Sequence, residues 1–110
     1  MKEPLQFPLS RPQPPAIPEH VTGEARVIWP DVVHALLDAG VELYAVDYIV
    51  LGNFCIALAL LRQCRQEAAG ASDPNVVAAL RTVESETLGR VCACAESLLL
   101  PPGALGAFLK

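Results

Sequence analysis

Aromatic side chains are scarce in this chain of 110 residues, at Phe7, Trp29, Tyr44, Tyr48, Phe54 and Phe108. Six rings this thinly spread do not make a base-stacking platform for single-stranded nucleic acid. Histidine is scarcer, at His20 and His34 alone. No glycine-rich phosphate loop occurs, no acids are paired in an apolar setting, and no nucleophile has a base in plausible reach. Glu84 and Glu86 are two apart and diverge on a helix. The chain is therefore expected not to be an enzyme and to need no cofactor. Charge is also sparse, with 8 basic against 12 acidic residues and a net charge of −4. That balance argues against a protein that coats nucleic acid indiscriminately.

Four cysteines, Cys55, Cys64, Cys92 and Cys94, stand without a His-x-x-x-His companion. On a helix, residues two apart diverge by about 200° and residues nine apart lie on opposite faces. The thiols thus read as small core residues rather than as a metal site, and disulfides are not expected in a reducing compartment. The first eighteen residues hold six prolines and no apolar run, which is unlike a secretory signal. The longest apolar stretch, 48–61, is interrupted at Gly52 and Asn53 and falls short of the ~20 residues a bilayer needs. A soluble cytoplasmic chain without a membrane span is expected.

What is abundant is aliphatic. Hydrophobic residues make up 53%, and 16 Ala and 16 Leu outnumber 11 Val and 4 Ile, a mix that favours helix over strand. The expectation is an all-α domain over 21–110, with three main helices around a helical hairpin core, preceded by a proline-rich arm over 1–20. Prolines 4, 8, 12, 14, 15 and 18 favour extended geometry. Residues 11–15, Arg-Pro-Gln-Pro-Pro, suit a proline-motif ligand, a stiff strap laid over the domain or a flexible arm.

The first helix is expected near Thr22, with Thr22 as cap, Glu24 on the positive end of the dipole and Gly40 as its stop. Pro30 then requires a kink, or a later start at Trp29–Pro30. The second helix is expected from about Leu43 to Ala69, ended by Gly70. Asp47 caps or charges its first turn. Leu51, Phe54, Leu58 and Leu61 form its main stripe, but Ile49, Val50, Cys55, Ile56, Ala57 and Leu60 fill the other sides. A helix apolar all round is buried all round, and two further helices can hardly surround it. Part of its surface is thus expected to meet another subunit, with Trp29, Leu51, Phe54, Leu58 and Leu61 as candidate core or interface residues. The third helix starts at Asp73-Pro74, runs along Val76, Leu80, Val83, Thr87, Val91, Cys94 and Leu98, and stops before Pro101-Pro102. Gly89 weakens its middle or permits close packing. The apolar tail 103–110 is expected to dock rather than hang free.

Residues 19–47 carry six acids and one arginine, whereas 48–110 balance five of each sign. Arg62, Arg65, Arg81 and Arg90 decorate the second and third helices. Arg62 and Arg65, three apart, share a face and either contact phosphates or form the solvated end of an apolar helix.

In order, these signals resemble a known family. Pro14-Pro15-Ala-Ile17-Pro18-Glu-His-Val21-Thr22-Gly-Glu24-Ala25-Arg26-x-x-Trp29 is similar to the opening of the P27-type small terminase subunits of tailed phages. Leu36, Gly40 and then Asp47-x-x-x-Leu51-x-x-Phe54-Cys55 match the spacing on that family's second helix, and Leu98-Leu99-Leu100-Pro101-Pro102 resembles its closing segment. The similarity runs over residues 12–109. It implies a non-catalytic DNA-packaging component that assembles as a homo-oligomeric ring. It also implies that the ring engages double-stranded viral DNA and regulates a large subunit holding the ATPase and nuclease. Arg62, Arg65, Arg81 and Arg90, with Lys2 and Arg11 on the arm, are the candidate DNA contacts. The alternative is a helical oligomerisation or adaptor module that binds only proteins. A helix-turn-helix reading lacks a short-turn helix pair with a polar recognition helix.

Overall fold

The structure is a computed structural model that describes residues 16–44 and 47–110. The arm's proline motif and its two cations, Lys2 and Arg11, lie outside the described residues. The fold is all-α: α1 spans Gly23–Asp38, α2 Asp47–Gly70, α3 Pro74–Ser97 and α4 Pro102–Leu109.

Helix α1 begins where its sequence indicates but is not capped as expected. Thr22 is extended and its side chain makes no cap hydrogen bond. Gly23 follows in the left-handed region at φ +59°, a turn that glycine makes at least cost and that enters the helix without the threonine hydroxyl. Pro30 sits inside the helix, so the start is early rather than late. Its ring lies on the exposed side, where the carbonyl it leaves unbonded faces water. The helix ends with Gly40 at φ +81°: Gly40 N donates to Leu37 O and Val41 N to Leu36 O, a paired closure that satisfies two terminal carbonyls.

Helix α2 starts four residues later than its apolar pattern predicts. Leu43 is buried but non-helical, plugging the core from the connecting loop. Asp47 sets the entry, its Oδ2 accepting from Tyr44 N at 2.9 Å while its own N–H donates to Tyr44 O at 2.8 Å. Gly52 on this helix is needed for close approach, because a Cβ there would lie 3.0 Å from His20 Nε2 and 3.2 Å from Val21 Cγ2. The lead-in 16–21 is thus strapped across α2, with Ile17 against the core and the Tyr48 hydroxyl bonded to the Ala16 backbone.

Helix α3 opens as expected, Asp73 accepting from Asn75 N at 2.9 Å with Pro74 in the first turn. It closes as α1 does, Leu99 N donating to Glu96 O and Leu100 N to Ala95 O, but with Leu99 in the glycine position at φ +62°. Its anticipated stripe divides. Thr87, Val91 and Leu98 are buried, while Val76 and Val83 are exposed. Gly89 faces open space and permits no close packing.

Helices α2 and α3 have 24 residues each and form an antiparallel hairpin about 36 Å long. Helix α2 lies between α1 and α3, and the short α4 adds to it. The Cα envelope measures 55 × 27 × 17 Å, and its thinnest dimension has room for two layers of helix. Helix α2 is long and apolar enough to cross a membrane by length and composition. In this fold it is the core helix, with Leu51, Phe54, Leu58 and Leu61 sealed beside Trp29, Val33 and Leu36.

Candidate interaction site

Among the described residues, no group of three or more His, Cys, Asp or Glu is placed to hold a metal. The thiols are unpaired, and Cys55 and Cys64 are buried. Burial pushes the Cys55 thiol up to about 12 and raises that of Cys94, which makes both poor nucleophiles.

Trp29, Leu51, Phe54, Leu58 and Leu61 are each 1% exposed or less, so they build the core of the chain itself. Trp29 meets Tyr48 edge-on at 6.1 Å, and Phe54 meets Phe108 edge-on at 6.2 Å. An interface with another chain has to use other residues. Among those left open on α2, Ile49, Asn53, Ile56, Leu60 and Gln63 are spaced four, three, four and three, which is one continuous strip. Ile49 is 66% exposed, and Ile56 and Leu60 keep more than a third of their surface.

Ile56 and Leu60 form a ridge between two clefts. One cleft, of about 640 Å³, lies toward the start of α1 and is lined by His20, Thr22, Glu24, Ala25, Gln63 and Gln66. The other, of about 360 Å³, lies toward α3 and is lined by Asn53, Ala57, Arg90, Ala93 and Cys94. Val76 and Val83 repeat at seven-residue steps with Arg90, so they extend this apolar face along α3.

The four arginines do not form one patch. Arg62 donates to Phe108 O at 3.3 Å and lies 3.9 Å from Glu24. Arg65 donates to Glu84 Oε2 at 2.9 Å and to Leu109 O at 2.5 Å. Arg81 donates to Glu84 Oε1 at 2.8 Å. Hydrogen bonds from Arg81 and then Arg65 hold the Glu84 carboxyl below its ordinary range. Arg62 and Arg65 therefore clamp the last carbonyls of α4, the negative end of that helix, and pin Phe108 over Phe54. The two-arginine spacing indicated a shared face but carried no sign of the tail that occupies it. Arg90 stands apart and makes no ion pair among the described residues.

Compared with family models, curated proteins and solved structures, the chain matches none of them.

Proposed function

We propose that this chain is a self-associating, non-catalytic subunit of the small-terminase kind. In this reading it forms a ring in the host cytoplasm, engages double-stranded viral DNA and regulates a large ATPase and nuclease subunit. The observation that carries the self-association is the open strip of α2. Ile49, Ile56 and Leu60 stay exposed among the described residues, on a helix that also supplies Leu51, Phe54, Leu58 and Leu61 to the core. Contiguous apolar surface of this sort marks a binding face. The resemblance supplies the rest. Val21 to Trp29 lead into and build α1, Asp47-Leu51-Phe54-Cys55 occupies the first turns of α2, and Leu98 to Pro102 links α3 to α4.

DNA contact in this reading rests on the exposed parts of Arg62 and Arg81 of each subunit. One such site is weak, but repetition around an assembly raises avidity by orders of magnitude. A second reading, an adaptor that binds only proteins, is favoured by the pairing of Arg62, Arg65 and Arg81 within the chain. Fluorescence anisotropy of duplex DNA with the full chain, titrated from low to moderate salt, separates the two. The terminase reading expects binding that weakens steeply as salt rises. Absence of binding at low salt, with an assembled protein, leaves the adaptor.

A further inference from the structure

The outer side of α1 and the cleft between α2 and α3 carry complementary chemistry. The core side of α1 is Ala25, Ile28, Trp29, Val32, Val33 and Leu36. Diametrically opposite, at steps of four, three and four, run Val27, Asp31, His34 and Asp38. All four are exposed, Val27 at 66%. Asp31 and Asp38 make no ion pair among the described residues, whereas Glu24, off this stripe, is held by Arg62. The stripe therefore offers one aliphatic side chain followed, a turn later, by an unpartnered carboxylate.

The α2–α3 cleft offers the converse. Its floor is aliphatic, built by Ile56, Ala57, Leu60, Ala93 and Cys94, and its rim carries Arg90. Glu86 lies one turn before Arg90 on α3 without pairing with it. What fits such a cleft is a helix bearing an apolar residue and an acid about one turn, or 6 Å, apart. The stripe on α1 has that arrangement, but it faces away from its own cleft, so one chain cannot use both.

We infer that the α2–α3 cleft receives the outer stripe of α1 from a second copy of this chain, Val27 resting on Ile56 and Leu60 and Asp31 pairing with Arg90. This rests on the self-association proposed above and specifies its interface. The two surfaces differ, so the contact is head-to-tail, the kind that closes into a ring when the rotation per subunit allows. Asn53, the uncharged polar residue lining this cleft, fixes the depth at which the incoming helix sits, as a polar residue in an apolar seam does.

Charge reversal tests the pairing. Asp31 and Arg90 are both exposed, so Asp31→Arg and Arg90→Glu leave the circular dichroism and melting of the single chain near wild type. Light scattering coupled to size exclusion is expected to show an assembled wild type and each single variant at monomer mass. The double variant D31R/R90E restores assembly, and an equimolar mixture of the two single variants co-assembles, because each arginine then meets an acid. Single variants that keep the wild-type mass would overturn the interface while leaving self-association standing. A double variant that stays monomeric would do the same, since the two residues would not face one another. A monomeric wild type at every concentration tested would remove the self-association reading itself, and this interface with it.

Discussion

The two sides of α2 are made of similar residues and have opposite fates. On one side Leu51, Phe54, Leu58 and Leu61 are fully enclosed by the chain's own helices. On the other, Ile49, Ile56 and Leu60 repeat at the same helical spacing and stay open. Hydrophobicity alone does not separate them, because the difference lies in the number of helices available. Helices α1, α3 and α4 cover three directions around α2, and among the described residues no helix covers the fourth. A few helices packed around one long apolar helix leave one of its faces for something else.

The largest expected effect comes from breaking the closed side. Phe54→Ala removes a ring with no exposure and the seat of Phe108. Chemical denaturation is expected to show a loss of about 3–5 kcal/mol. Amide exchange should also quicken across α4, since that helix has no buried residue of its own. The open side behaves differently. Ile56→Lys together with Leu60→Lys is expected to change the stability of the dilute monomer by about 1 kcal/mol or less while abolishing assembly. A large loss of monomer stability would mean that the two faces are not distinct.

Smaller changes sharpen the contrast between α3's buried and exposed halves. Gly89→Ala, where the added methyl meets nothing, is expected to stabilise by about 1 kcal/mol. Leu99→Gly relieves a left-handed leucine that is 73% exposed and is expected to raise the melting temperature by a comparable increment. The smallest effect is that of pH. Glu84 is held below its ordinary range by Arg81 and Arg65, so its contribution is fully present above the unfolded value of about 4.3. It is lost as pH falls through the folded value. Arg65→Gln should flatten that acid limb of the stability profile, measured by thermal melts across pH.

Much of this architecture was legible in the residues. The Asp73-Pro74 start of α3 and the Gly40 stop of α1 are local signals, settled by backbone chemistry within a few residues, and they appear as read. The core stripe of α2 was also legible, because its period survives any tertiary arrangement. The start of α2 was not, since Leu43 continues the apolar pattern while serving the core from a loop. Thr22 has the side chain of a cap, but Gly23 turns the chain so that the hydroxyl is not used. The division of the α3 stripe into a buried and an open part depends on packing by residues distant in the chain, which no window on α3 contains. Arg62 and Arg65 were seen to share a face, yet their partners, Phe108 and Leu109, lie more than forty residues away. That distance is why the hold of both arginines on the tail is not visible in their spacing.

Solution mass bears most directly on whether the open face of α2 meets another subunit. Light scattering coupled to size exclusion, at moderate salt, should compare the full chain with the Ile56→Lys/Leu60→Lys variant. The expected result is a discrete multiple of the chain mass for the wild type and a folded monomer for the variant. A wild type that elutes as a monomer, or a variant that assembles as the wild type does, would contradict the assignment of that face to self-association.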